Sequence, residues 1–405
     1  MTRALERECC LTWRTVRKVV NAVWLGSAST AGEICRAEQA RFDRHTLEVW
    51  MRAGVVVAAQ PGVEDLAVRA EELGLHSFWV YDTPMVHGDP FVALSLCAKA
   101  TRRIRLGIGV TSAGLRSAPA AASGFASLNA LAPGRIICGV GTGNTARRTL
   151  GMPPTKVAAL EDFIAALQDL CAGRSTEYRE GDRVRDIRFL HAGAHVNTTD
   201  PIEFVVAALH GPKAAAVAGR HGAGLISVGL LDPTAWHALH DARRQAAHSA
   251  PRDPDSHTVS RADSYLVTSL HMLHQNEDPD SDAARDATGH LVLSLLDYAA
   301  DTPAFAEQLG PDEREAVRRL LDRRGTTATA PDRYTKIYPG YLGRIAPQDR
   351  DLVLPPLMNA LALVGTRDDL LTRITALEQA GVDELLIQPV VDPPAEMAQL
   401  AKLLT

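Results

Sequence analysis

The residues able to do chemistry stand in short stretches that follow apolar runs. Gly139 to Asn144 reads GVGTGN and leaves one such run. Glycines let a backbone approach a ligand, and the N–H groups of such a corner can bind a ring, a hydroxylated chain or a phosphate. A tight corner is the plain alternative. The spacing is GxGxG, with no ribose-binding acid at the right distance, so this is no dinucleotide fingerprint. Asp82 ends a second run, before Thr83, Pro84 and His87. Asp82 can hydrogen-bond a ligand or exchange a proton, and His87 can supply one. As a structural residue Asp82 would serve the turn. Thr111 and Ser112 follow a third run, where hydroxyls reach either a ligand or the loop backbone. Ala207, Ala208 and Leu209 follow a fourth, with Gly211-Pro212 opening a helix whose first turn suits a phosphate. Ser227 to Gly229 end a fifth, and strand-end packing explains these last two groups equally well.

Other features carry less. His237/His240, His271/His274 and His191/His195 lack the matching carboxylates of a metal site and read as solvated faces or loops. Glu71-Glu72 and Asp368-Asp369 read as surface helix charges. Lys336, Tyr338 and Arg344 could reach over a site from a later segment, though polar loop residues usually face water. The cysteines (Cys9, Cys10, Cys35, Cys97, Cys138, Cys171) form no C-x-x-C pair, which suits a reducing compartment and a cytoplasmic protein. The net charge of −5 and 5% aromatic content point away from nucleic acid and from an anionic membrane surface. No apolar run approaches the ~20 residues of a membrane span. Val19 to Ala31 imitates an export signal, but Asn21 and Ser27 break it.

The elements that must position these residues begin after about residue 53. Residues 1–45 read as an N-terminal extension, helical or disordered, and 46–405 as one domain. Apolar, β-branched runs at 53–59, 77–81, 104–110, 135–140, 202–207, 224–228, 264–270 and 383–388 alternate with helical patterns. Asp89-Pro90 opens one helix, and Gly74 and Gly381 close others. Such alternation requires parallel pairing, since each crossover needs a helix. The runs are apolar on both faces, as in a sheet covered on both sides. The count reaches eight with no antiparallel hairpin signal, so a closed (β/α)8 barrel is expected, with a helical insertion at about 275–350 before the last strand.

Four stretches resemble the bacterial luciferase-like superfamily: EELGLHSFWVYDTP (71–84), IRLGIGVTSAGLRSAPA (104–120), LNALAPGRIICGVGTGN (128–144) and VGTRDDLLTRITALEQAGVDELLIQP (364–389). The Asp-Thr-Pro, with the text near 345–365, is similar to the methylenetetrahydromethanopterin reductase branch. The resemblance implies a flavin-like ring at the C-terminal mouth of the barrel, and a non-prolyl cis peptide in the third strand, by position Gly109-Val110. It implies cofactor contacts from Asp82, Gly109, Val110, Thr111, Gly141, Thr142, Gly143, Asn144, Ala207, Ala208 and Leu209, with catalysis by Asp82, Thr83 and His87. Relatives that oxidise sugars and alcohols often carry His where this chain has Thr83, a departure that favours reduction of C=C or C=N bonds. The implied activity is hydride transfer between coenzyme F420 (8-hydroxy-5-deazaflavin) and a small organic molecule, in a homodimer. An FMN-dependent monooxygenase and a flavin-binding protein without turnover are the alternatives.

Overall fold

The computed structural model describes residues 51–191, 193–209, 211–249 and 262–404. The expected extension over 1–45, with Cys9, Cys10 and Cys35, lies outside them. Each expected run forms a barrel strand: β1 (Arg52–Val57), β2 (Ser77–Val80), β3 (Arg105–Thr111), β4 (Ile136–Val140), β5 (Glu203–Ala207), β6 (Gly224–Val228), β7 (Ser264–Thr268) and β8 (Glu384–Ile387). Sequential neighbours pair in parallel, and β1 pairs with β8 to close the barrel. The crossover helices are α1 (Val63–Glu72), α2 (Pro90–Ala100), α3 (Ala118–Leu131), α4 (Val157–Cys171), α5 (Pro212–Arg220), α6 (Pro233–Ser249) and α7 (Arg367–Gln379), and α8 (Pro393–Leu404) follows the last strand.

Local signals explain the boundaries. Asp89 Oδ1 accepts from the N–H groups of Phe91 and Val92, with Pro90 in the first turn of α2. Asp369 is more than a surface charge: it completes a capping box with Thr366 at the start of α7. Gly74 and Gly381 take the left-handed backbone, at φ 76 and 93, that stops α1 and α7.

Two expectations need correction. Thr176–Glu180 and Arg183–Ile187 form an antiparallel hairpin outside the barrel, where the sequence reads as irregular. Its strands are charged and mostly exposed, so no apolar alternation marks them; Tyr178 and Ile187 reach the main core. The insertion is also longer than 275–350. It leaves at Leu270–Met272 and returns at Leu363–Gly365, two short segments that pair in parallel. Segments of three residues are too brief for periodicity to reveal. Between them the long helix Asp282–Asp301 anchors a second core, including Val292, Leu296, Leu320 and Met358.

Inward-facing side chains fill the barrel. Trp79 is fully buried, with its ring 5.0 Å edge-on from that of Tyr265. Gly107 and Gly109 stand beside it on β3. A Cβ at Gly107 would enter the indole, and one at Gly109 would lie 3.3 Å from it. Below, the floor is polar. Trp79 Nε1 donates to Ser77 Oγ at 2.6 Å, and Ser77 donates to the fully buried Glu384, which also pairs with His76 Nδ1 at 2.7 Å. Glu203 takes Arg105 at 2.5 Å and the Tyr265 hydroxyl at 2.8 Å.

Two measurements check this packing. Gly107→Ala is expected to lose about 1–3 kcal/mol in urea unfolding through overpacking against Trp79; an unchanged midpoint would show that the ring has room to shift. His290, on the insertion helix, bonds Ser269 Oγ at 2.8 Å, and burial pushes its pKa down to about 3 from 6.5. The unfolded chain binds the proton that the folded chain refuses, so this residue's contribution falls as pH drops from about 6.5 towards 3. The melting temperature of His290→Gln should therefore decline less steeply over that range than that of the unmutated protein.

Candidate active site

The C-terminal ends of β2, β3 and β4 converge at the barrel mouth. Asp82 follows β2 and is 2% exposed. Its Oδ2 accepts from Thr111 Oγ1 at 2.6 Å and from Arg116 Nε at 3.0 Å, and its Oδ1 from Arg116 Nη2 at 3.3 Å. Arg116 also reaches Asp89 at 2.7 Å and lies 4.8 Å over the Phe91 ring. Burial works against the guanidinium charge, but the hydrogen bonds to Asp82 and Asp89 outweigh it and leave the pKa above its ordinary value. Both oxygens of Asp82 are thus engaged, which makes it a post that holds the loops after β2 and β3 rather than a free acid or base. Sequence reasoning missed Arg116. The signal was there, because an acid at the buried end of a strand needs a cation, and Arg116 is the basic residue in the loop after the third run.

The expected cis peptide is present at Gly109-Val110, and the pairing of β3 with β4 slips between Ile108 and Thr111. This bulge explains much of the glycine-rich corner. A Cβ at Gly139 would strike the carbonyl oxygen of Ile108, and one at Gly141 would lie 2.9 Å from Val110 Cγ2 and 3.1 Å from Ala207 Cβ. Those two glycines therefore make room for the protein's own bulge. Gly143 is left-handed at φ 71, with Ser112 Oγ 2.5 Å from where its Cβ would stand. Asn144 Oδ1 accepts from Arg148 Nε at 3.0 Å, and the Thr142 carbonyl accepts from Thr155 N–H at 2.9 Å and from its hydroxyl at 3.0 Å. Across the mouth, Ala208 is buried and Leu209 half-open, and the Leu209 carbonyl accepts from Ser227 Oγ at 3.4 Å.

His87 and Tyr81 form the other side of the mouth, with ring centroids 5.5 Å apart. Thr83 is buried, and its carbonyl receives the N–H groups of Val86 and His87, so it builds the turn. Burial lowers the His87 pKa against the pull of a hydrogen bond to the Tyr341 backbone. Tyr81 Oη, His87 Nδ1 and Ser112 Oγ are buried without a partner in the protein. Above them the insertion sends a strap across the mouth. Tyr341 Oη meets Thr145 Oγ1 at 3.1 Å, Gln388 Nε2 donates to the Leu342 carbonyl at 2.9 Å, and Leu342 packs on the cluster that fills the barrel. Tyr341 and Leu342 thus reach the mouth. Lys336 and Arg344 face solvent, as polar loop residues usually do, while Tyr338 is buried in the insertion with its hydroxyl on Asp301 at 3.3 Å.

The histidine pairs lie elsewhere. His271 Nε2 meets Glu277 at 2.8 Å, His240 Nε2 meets the Gly381 carbonyl at 3.1 Å, and the rings of His191 and His195 are 6.1 Å apart. Among the described residues no helix is long and apolar enough to cross a membrane.

Comparison with known proteins defines the class. The luciferase-like monooxygenase family profile matches residues 47–384, and the chain belongs to that family. Limonene 1,2-monooxygenase of Rhodococcus erythropolis is 26% identical over 266 residues, 64% of this chain and 65% of that protein. F420-dependent glucose-6-phosphate dehydrogenase of Kineococcus radiotolerans is 34% identical over 194 residues, 44% and 56% of the two chains. The chain therefore spans less than two thirds of either relative. 5,10-Methylenetetrahydromethanopterin reductase of Methanolobus tindarius is 26% identical over 332 residues, 81% of this chain and 90% of that one. The solved coenzyme F420 dependent tetrahydromethanopterin reductase of Methanopyrus kandleri superposes with a TM-score of 0.59 at 18% identity, covering 87% of this chain and 97% of its own. The oxygenating constituent of 3,6-diketocamphane monooxygenase from Pseudomonas putida, solved with FMN, gives 0.57 at 14% identity, with coverage of 87% and 96%. These two likenesses establish the fold.

Removing Arg116 would strand a buried carboxylate. Arg116→Met is expected to cost about 3 kcal/mol in urea unfolding, and adding Asp82→Asn to it should recover part of that loss. A single variant within about 1 kcal/mol of the unmutated protein would mean that solvent reaches Asp82.

Proposed function

We propose that the chain is an oxidoreductase that moves a hydride between coenzyme F420 and a small organic substrate, as a reductase of C=C or C=N bonds. The observation that carries this reading is a set of three polar atoms at the barrel mouth, Tyr81 Oη, His87 Nδ1 and Ser112 Oγ, all buried and unpartnered. A buried polar atom without a partner costs about 1–3 kcal/mol, so a mouth built with several suits a flat ligand with a polar edge. The likeness to F420-dependent glucose-6-phosphate dehydrogenase supports the deazaflavin.

In this reading the corner Gly141, Thr142, Gly143 and Asn144, the strand end Ala207–Leu209, and Gly109, Val110 and Thr111 would hold the cofactor. The chemistry supplied by a deazaflavin held there would be hydride transfer. The chain supplies positioning and protons. Asp82 acts through Thr111 and Arg116 by fixing the bulge. With its other ring nitrogen on the Tyr341 carbonyl, neutral His87 presents a lone pair at Nδ1 and accepts a proton. Tyr81, its hydroxyl held neutral by burial, is the group able to give one. The strap at Tyr341 and Leu342 keeps water from the mouth.

An FMN-dependent monooxygenase is the second reading, favoured by the likeness to limonene monooxygenase. A titration of the purified protein with each cofactor separates the two, since bound deazaflavin absorbs near ~420 nm and flavin near ~450 nm. Deazaflavin is expected to bind the tighter, and Ser112→Ala to weaken it about three- to tenfold. Tighter FMN would favour the monooxygenase. If neither binds, the cofactor reading fails, and a bound cofactor that never turns over against a panel of unsaturated substrates would mark a binding protein. The same reading implies a homodimer, which light scattering on the purified protein checks.

A further inference from the structure

A second groove lies at the opposite end of the barrel from the mouth, where α2 turns into β3 and α3 into β4. It is an open surface groove with room for about 610 Å³, lined by Lys99, Arg102, Arg103 and Arg135 together with the apolar Leu131 and Pro133. Four cations in one groove are unexpected on a chain whose net charge is −5.

Their charges are poorly neutralised. Arg135 spends its guanidinium on dipoles: Nη1 donates to Thr101 Oγ1 and the Ile104 carbonyl, each at 3.0 Å, and Nη2 to the carbonyls of Ala98 at 3.2 Å and Thr101 at 3.4 Å. The carboxylate that acts on it is Glu71. The oxygens of Glu71 are taken by the backbone N–H groups of Arg102 at 3.0 and 3.1 Å, Arg103 at 2.5 Å and Ile104 at 2.8 Å. This, rather than a surface charge, is what Glu71 is for: it pins the loop so that two consecutive arginines stand at the rim. Burial lowers the pKa of Arg135, Glu71 pulls it up, and the charge of Arg102 pushes it down again, the mark of cations crowded together. Among the described residues neither Lys99 nor Arg102 has an ion-pair partner. Leu131, 42% exposed, turns an apolar side chain toward the same space.

We propose that this groove binds a phosphate-bearing organic anion of nucleotide size, with Lys99, Arg102 and Arg103 pairing its phosphates and Leu131 and Pro133 carrying its ring. Guanidinium groups suit phosphate because their planar forks meet two oxygens at once. The volume suits a small organic molecule rather than a bare ion. The site is independent of the redox reading at the mouth, since β3 runs from this groove at Arg105 to the bulge at Gly109-Val110.

The test is calorimetric titration of the full-length protein with ADP, inorganic pyrophosphate and adenosine. ADP is expected to bind with a Kd below about 1 mM, to weaken as salt rises, and to bind more tightly than pyrophosphate. Adenosine should bind at least about tenfold more weakly than ADP. The double variant Lys99→Gln/Arg102→Gln, which alters exposed side chains only, should lose at least about tenfold in ADP affinity while its deazaflavin and FMN titrations stay unchanged. The proposal is overturned if neither ADP nor pyrophosphate binds at about 10 mM, if the double variant binds ADP as before, or if pyrophosphate binds as tightly as ADP. None of these outcomes bears on the cofactor at the mouth.

Discussion

The indole of Trp79 decides how the rest of this barrel is arranged. An eight-stranded barrel has an interior just wide enough for side chains, and Trp79 takes a large share of it. The neighbouring strand must then give way, and β3 does so with Gly107 and Gly109. The indole N–H has to be satisfied inside the core, and Ser77 accepts it, which carries the polar chain down to Glu384. A filled interior leaves a ligand nowhere to enter but the rim.

At that rim two kinds of polar group stand side by side. Asp82, Arg116, Thr111 and Asp89 are bonded to one another, and such a network gives rigidity to the loops that carry it. Tyr81, His87 and Ser112 are buried beside it with capacity unused. The first set explains why the bulge has a defined place, and the second why that place suits a ligand. The strap from the insertion joins them, because Tyr341 touches both the loop of His87 and the corner at Thr145.

Much of the barrel was legible because its strands and helices bury apolar faces at their own periods, and such periods survive without tertiary knowledge. The hairpin Thr176–Ile187 was not, because its strands are charged on both faces and send only Tyr178 and Ile187 to the core, too few for a period to show. The ends of the insertion were hidden for a different reason: the tripeptides that close it gain their meaning only from pairing with each other across a long stretch of chain. Among the site residues, Asp82, His87 and the glycine corner could be singled out by type and by their place after strands. Arg116 was within reach as the basic residue in the loop after the third run, but Tyr81, Tyr341 and Leu342 were not, since their roles lie in what they touch.

By itself, then, the sequence determined the alternation of strand and helix, the closure into a barrel, the glycine at which the cis bulge stands and the rim where the loops gather, because all of these follow from local pattern or from resemblance in short motifs. The tertiary structure decided the rest: that Asp82 is held by Arg116, that Gly139 and Gly141 yield to Val110 and Ile108, that the strap reaches the mouth through Tyr341 and Leu342, and that Glu71 turns a pair of arginines outward. Each of these is a contact between residues far apart in the chain, and no spacing along the chain encodes the distance at which they meet.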